Sequence, residues 1–254
     1  MGFSPSNHTK EIALKKIAFL FCAAACASGA ATAGDINTLY RLSQDEFRIM
    51  SEDMGAALSY KSVMPTESLG ILGFDVGLVV SSTDVSRSSA ILYNASNNGG
   101  LDINTLFVPK LMVAKGFPFG VDVAGFYSAL PTTNIRLMGA EVRYALVEGD
   151  TFVPAVAVRG AFSKLSGVEQ WSMDTKSLDI SASKGFAMLT PYAGVGMVWV
   201  NSSPQASTGL KAESFSKLKY FAGVNFNLGL FNLALETDKT GSTSTFSFKG
   251  GFRF

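Results

Sequence analysis

The sequence predicts an all-β chain, an antiparallel transmembrane β-barrel of about ten strands with a short helix ahead of them. Three observations lead there. In the last ten residues Phe246, Phe248, Gly250, Phe252 and Phe254 share one face, while Thr245, Ser247, Lys249, Gly251 and Arg253 share the other. That period-two pattern, apolar against polar, is what a strand between lipid and lumen requires. Similar alternating segments recur along the chain with turn residues between them. Finally, 20 Phe, 25 Gly and a slightly positive mean hydropathy come without any run after residue 33 that approaches the roughly 18 apolar residues of a membrane helix.

Residues 1–33 read as a secretory signal. Lys10, Lys15 and Lys16 precede an apolar run from Ile17 to Ala27, and Ala31-Thr32-Ala33 has the form of a signal-peptidase site, so the mature chain is expected to start at Gly34. The run is too short to span a bilayer. Ala24-Ala25-Cys26 has an outline of a lipid-attachment site without its usual Leu; lipidation at Cys26 is the alternative to cleavage after Ala33. Cleavage removes Cys22, Cys26 and His8, which are every Cys and His of the chain. What remains cannot build a thiol nucleophile, a disulfide, a Ser-His-Asp triad or a His-Glu-X-X-His zinc site, and no enzyme activity, metal or cofactor is expected. Removing Lys10, Lys15, Lys16 and Glu11 from the 21 basic and 20 acidic residues leaves a net charge of −1, which offers nothing to nucleic acid.

Residues 34–67 form a second segment. Ser43 reads as a helix N-cap, Glu46 completes a capping box, and Leu42 can staple onto Phe47, with Phe47, Met50 and Met54 along one face. Such a helix either plugs the barrel or lies on the periplasmic membrane surface. The plug is preferred, because Asp45, Glu46, Glu52 and Asp53 would find Lys110, Arg143, Arg159 and Lys219 in the lumen and be repelled by anionic lipid.

The barrel is assigned to 68–254, beginning near Leu69. Gly55 to Val63 is a further strand candidate, and a second short strand within Ser81 to Asp102 would raise the count to twelve. Leu72, Phe74, Val76, Leu78 and Val80 oppose Gly73, Asp75 and Gly77. Leu106 to Lys115 is strand-like with Lys110 inward. Val121, Val123, Gly125 and Tyr127 oppose Asp122, Ala124 and Ser128; Met138, Ala140, Val142, Tyr144 and Leu146 oppose Gly139, Glu141, Arg143 and Ala145. A tight Glu148-Gly149-Asp150 turn leads to Phe152, Pro154, Val156, Val158 and Phe162 against Ala155, Ala157, Arg159 and Ser163. Leu178 to Ala182 carries Asp179 inward. From Leu189 to Val200 both faces are apolar, and the register is open. Leu218, Tyr220, Ala222, Val224, Phe226 and Leu228 oppose Lys217, Lys219, Gly223, Asn225 and Asn227, with Phe221 the one large apolar group on the polar side. Phe231, Leu233, Leu235 and Thr237 oppose Asn232, Ala234, Glu236 and Asp238, and a Lys-Thr-Gly-Ser turn leads to the last strand. Counted from a periplasmic C terminus, the short links fall on the periplasmic side, while Ser81 to Asp102 and Asn201 to Glu213 fall outside. Trp171 and Trp199 are candidate interfacial anchors, with an outer loop as the alternative place for Trp171.

The inward charges are the candidate functional set: Asp75, Asp122, Glu141, Asp179, Glu236 and Asp238 against Lys110, Arg143, Arg159, Lys219, Lys249 and Arg253. Near-equal numbers suggest a lumen neutralised by its own ion pairs; the alternative is a narrow polar conduit that these residues tune. A ten-strand barrel is little wider than the eight-strand type that side chains fill, so an open porin-sized channel is not expected.

Gly70-Ile71-Leu72-Gly73-Phe74-Asp75-Val76-Gly77, Lys115-Gly116-Phe117-Pro118-Phe119-Gly120-Val121-Asp122, Thr190-Pro191-Tyr192-Ala193-Gly194-Val195-Gly196 and the Gly251-Phe252-Arg253-Phe254 ending together resemble a largely uncharacterised family of proteobacterial outer-membrane β-barrel proteins. That resemblance implies the barrel and an outer-membrane location, but no substrate. The ending also resembles the C-terminal signature of bacterial outer-membrane barrels, in which Phe246, Phe248, Phe252 and Phe254 would address the barrel-assembly machinery. The expected function is therefore an integral outer-membrane barrel, structural or a narrow passage for small or hydrophobic solutes, in contact with outer-membrane lipid. One alternative is a surface platform whose loops bind a partner. Another is a soluble periplasmic barrel with its faces reversed around an apolar ligand. Oligomeric state is not legible.

Overall fold

The computed structural model describes residues 38–95, 104–129 and 135–254, within a unit that spans 33–254. The expected signal, including Cys26 and Ala33, lies outside the described residues, as does 96–102 of the first long loop. Ten strands follow one another: β1 (Phe74–Asp84), β2 (Thr105–Phe117), β3 (Val121–Ala129), β4 (Arg136–Val147), β5 (Ala155–Ser166), β6 (Trp171–Ser183), β7 (Leu189–Pro204), β8 (Glu213–Leu228), β9 (Phe231–Thr240) and β10 (Thr243–Arg253). Each pairs antiparallel with its neighbours in sequence, and β1 pairs with β10, so the sheet closes into a barrel. Closure removes the free edge that neither lipid nor water-excluded surroundings could satisfy. The seam runs from Asp75 opposite Arg253 to Thr83 opposite Thr245. It includes the last residue: Phe74 N–H donates to Phe254 O (2.6 Å), Phe254 N–H donates to Phe74 O (2.9 Å), and the two rings stack at 5.8 Å.

The alternation sorts side chains as the sequence predicts. Phe246, Phe248, Phe252 and Phe254 point outward from the closing strand, whereas Thr245, Ser247 and Lys249 are buried inside. Aromatic groups on the outer face gather at the end that holds the C terminus: Phe74, Phe117, Tyr144, Phe231, Phe252 and Phe254 are all exposed there. Phe119 stands free at the β2–β3 turn, with φ of 65° followed by Gly120 at 70°. Inside, bulky rings lie over glycines of the adjoining strand. A Cβ on Gly139 would meet the Phe126 ring at 2.4 Å, one on Gly194 the Phe221 ring at 2.3 Å, and one on Gly223 the Tyr192 ring at 2.4 Å. These glycines let a ten-strand interior accept aromatic groups.

Two helices accompany the sheet. Helix α1 (Gln44–Leu58) begins at the expected capping box: Ser43 N–H donates to Glu46 Oε2 (2.7 Å), and Glu46 N–H donates to Ser43 Oγ (3.3 Å). Leu42 and Phe47 are buried in one cluster. Helix α2 (Ser89–Ala95) occupies the first long loop.

Several expectations are corrected. Gly55 to Val63 is no strand: α1 continues to Leu58, and an extended stretch follows it through the barrel. Among the described residues Ser81 to Asp102 supplies only the end of β1 and α2, so the closure is by ten strands and not twelve. The first strand starts at Phe74, because Gly73 and Gly70 form a turn closed by Gly73 N–H to Gly70 O (3.1 Å). The β4–β5 link runs over 148–154 instead of three residues. Asp150 Oδ1 accepts the N–H groups of Phe152 (2.6 Å) and Val153 (2.8 Å), contacts that hold its carboxyl below the usual carboxylate range, and Pro154 has no N–H to give a ladder. On β7, Tyr192, Val198 and Val200 turn inward and Val195 and Trp199 outward, which decides the register the sequence left open. Trp171 is neither an interfacial anchor nor part of an outer loop: it starts β6, buried, with Nε1–H donating to Ser202 Oγ (2.8 Å). The reversed-face barrel is excluded, since the aromatic rows face out and the charges face in.

Candidate functional site

The lumen has two layers. Toward the end with the long loops, the wall presents Val108, Leu137, Leu165, Met173, Val198 and Val200, and α1 lays Phe47, Met50 and Met54 among them in one cluster. Gly55 brings the helix close to β7, where a Cβ would lie 2.8 Å from Val200. Ser51 Oγ and Ser202 Oγ meet at 2.7 Å beneath Trp171. The wall's apolar patch therefore matches the apolar face of the helix, a match of area rather than of charge.

Nearer the C-terminal end the wall is polar and charged, and residues 59–69 run through it. Side chains of the lumen bind the peptide groups of this segment one after another. Ser163 Oγ donates to Leu58 O (2.6 Å), Lys219 Nζ to Tyr60 O (2.9 Å) and Arg143 Nη1 to Pro65 O (2.6 Å). In return Val63 N–H donates to Glu236 (3.2 Å), Thr66 N–H to Ser183 Oγ (3.1 Å) and Leu69 N–H to Asp122 (3.1 Å). A peptide threaded through a lumen must have its donors and acceptors met, and here side chains of the barrel wall meet six of them.

Lys61 is the anchor of this stretch. Its Nζ pairs with Asp238 at 2.8 Å and also donates to Ala56 O and Ser59 Oγ, both at 2.9 Å, so one buried ammonium ties the end of α1 to β9. Sequence reasoning missed Lys61. The only signal was a single cation inside an otherwise apolar and small-residue stretch.

All twelve inward charges named from the sequence face the lumen, and eleven of them are fully buried; Arg253, near the C-terminal rim, is partly so. Most pair within the wall. Arg143 holds Asp122 (2.7 Å), Arg159 lies between Asp179 (2.8 Å) and Glu141 (3.7 Å), and Lys249 holds Asp75 across the β1–β10 seam. Glu236 accepts from Tyr192 OH (3.0 Å), and Lys219 goes to the plug. Lys110 is buried with its Nζ 5.0 Å from the Phe126 ring centre. The acids of α1 do not reach Lys110, Arg143, Arg159 or Lys219 as expected. Glu52 meets Arg48, Arg87 and Lys217, and Asp53 meets Arg87 and Thr243, because the helix enters from the loop end and its acidic turns sit at that rim. Self-pairing of this kind leaves few charges for a passing ion and favours a filled interior.

No protein-family model matches the chain, and no curated protein matches it. Among solved structures, it is similar to the KdgM porin in complex with disordered oligogalacturonate (8% identity, 70% of this chain and 99% of that one, TM-score 0.36). OprG from Pseudomonas aeruginosa is also similar (11% identity, 75% and 99%, TM-score 0.33). So is a loop-deletion mutant of OmpT, an outer-membrane protein of Vibrio cholerae (13% identity, 58% and 54%, TM-score 0.32). The chain spans about half the length of that OmpT.

Proposed function

We propose that this chain is an integral outer-membrane barrel whose lumen is held shut by its own segment 44–69, and that small solutes pass only when that segment is displaced. The observation that carries the reading is the occupied lumen: six main-chain donors and acceptors between Leu58 and Leu69 are bonded to inward side chains of a closed wall. Outside, exposed aromatic and aliphatic side chains face where lipid would be, with lysines such as Lys164, Lys176 and Lys239 toward the loop end. Residues 38–254 contain no His or Cys, in keeping with a non-enzymatic role. Export through the 1–33 signal and recognition of Phe246, Phe248, Phe252 and Phe254 by assembly machinery belong to the same proposal, as does a periplasmic C terminus.

Planar-bilayer recording tests it. The refolded mature chain is expected to be silent and a chain beginning at Ser68 to conduct steadily. Equal conductance from both would overturn the seal, and silence from both, with heat-modifiable folding intact, would overturn the passage.

A second reading is favoured by the loop end itself. Thr38 bonds Ala95 of α2, Gln44 bonds Lys211, and Arg87 bonds Ser242, so loops 85–104, 205–212 and 241–242 are joined through the plug into one cap. Such a cap suits a platform for a partner. Deleting 205–212 would then abolish partner binding without opening the lumen.

A further inference from the structure

We propose that the chain makes an eleventh crossing of the membrane through its own lumen and displays its N-terminal side at the outer surface. This rests on the periplasmic C terminus adopted above. The direction of threading is set by contacts at both ends of the barrel. At the loop end, Thr38 N–H donates to Ala95 O (3.2 Å), Thr38 Oγ1–H to Asn94 O (3.1 Å) and Leu39 N–H to Gln170 Oε1 (3.4 Å). Gln44 exchanges hydrogen bonds with the main chain of Lys211, at 3.1 and 2.9 Å. Asn94, Ala95, Gln170 and Lys211 all lie in connections between strands at that one end. At the opposite end Thr66 bonds Ser183, the last residue of β6, and Leu69 bonds Asp122, the second residue of β3.

The lengths suffice for a passage. Fifteen helical residues cover about 22 Å, and 59–69 adds up to about 35 Å when extended, against a hydrocarbon core of about 30 Å. A plug inserted from the periplasm and folded back would place Thr38 near the start of β3 and the end of β6; it lies at the other rim. The ladder of β1 with β10 is continuous, so the segment cannot leave sideways and is enclosed when the seam forms. Residue 38 must already be outside, or be carried out, at that moment. The strands thus bring Tyr40 and Arg41, exposed beside the loop contacts of Thr38 and Leu39, to the cell exterior, where they are accessible to whatever approaches the loop cap.

Impermeant maleimide on intact cells tests the topology, because the mature chain lacks Cys and single substitutions report cleanly. Tyr40→Cys (Tyr40 is 56% exposed) reads the N-terminal side, Ser207→Cys the loop end and Thr151→Cys the β4–β5 connection. Heat-modifiable migration checks folding, with Arg41→Cys in reserve for Tyr40→Cys. Labelling of the Tyr40 and Ser207 variants in whole cells, and of the Thr151 variant only after permeabilisation, is the expected result. A silent Tyr40 variant beside a labelled Ser207 variant would overturn the eleventh crossing and leave the orientation standing. Labelling at Thr151 but not Ser207 would overturn the orientation itself.

Discussion

Lys61→Met should loosen the plug more than any other single change in it. The Lys61 ammonium is 0% and the Asp238 carboxylate 1% exposed, at 2.8 Å. Removing the cation leaves Asp238 buried with Thr240 Oγ1 as its remaining donor (3.1 Å) and frees Ala56 O and Ser59 Oγ at the end of α1. Breaking one side of a buried pair costs about 3–5 kcal/mol. At about 1.4 kcal/mol per factor of ten, the ratio of docked to released segment falls about a hundred- to several-thousand-fold. Hydrogen exchange of the α1 amides in detergent micelles measures this, with strand amides as the internal reference. Protection of 44–58 should drop by at least a hundredfold while that of β4–β6 stays. Protection within threefold of wild type would refute the anchor. Lys61→Met combined with Asp238→Leu should recover most of the loss, since no lone charge remains; no recovery would mean that Lys61 acts through Ala56 and Ser59 instead.

Further outcomes follow from the same geometry. Lys249→Met strands Asp75 at the closing seam and should cost about 3–5 kcal/mol, lowering the midpoint of heat-modifiable migration; Lys110→Met, which breaks no direct ion pair among the described residues, should be neutral or raise it. Gly194→Ala puts a Cβ 2.3 Å from the Phe221 ring and 2.7 Å from Ile180 O, an overpacking that should cost about 1–3 kcal/mol in thermal unfolding. Ser43→Ala removes the capping box and should cost about 1 kcal/mol, read as faster exchange in the first turn of α1 alone. Phe254→Ala removes the ring stacked on Phe74 and should lower the yield of assembled barrel in cells more than the stability of the refolded protein.

The strand faces were legible because lipid and lumen impose a simple two-way sort, and a residue such as Asp179 or Glu141 has only one tolerable side. Where both faces are apolar, as from Leu189 to Val200, that sort has nothing to act on, and the register comes from the neighbouring strands β6 and β8. The helix start was legible because a capping box is local, four residues deep. Its place was not. Glu52 and Asp53 could have met any inward cation, and only the position of α1 at the loop rim assigns them to Arg87, Lys217 and Thr243. Trp171 and Lys61 were hidden for the same reason, since their partners Ser202 and Asp238 lie far away in the chain.

By itself, then, the sequence determined the class of structure, the facing of its charges and the helix ahead of the strands, all properties carried by short-range periodicity and local capping. Tertiary structure decided between the ten strands expected and the twelve held possible, and between plug and membrane surface for the helix, and it alone decided that the segment runs from the loop end toward the C-terminal end. Those are decided by pairing between residues distant in the chain, such as Phe74 with Phe254 and Thr38 with Ala95, whose matching surfaces and hydrogen bonds exist only once the barrel has closed.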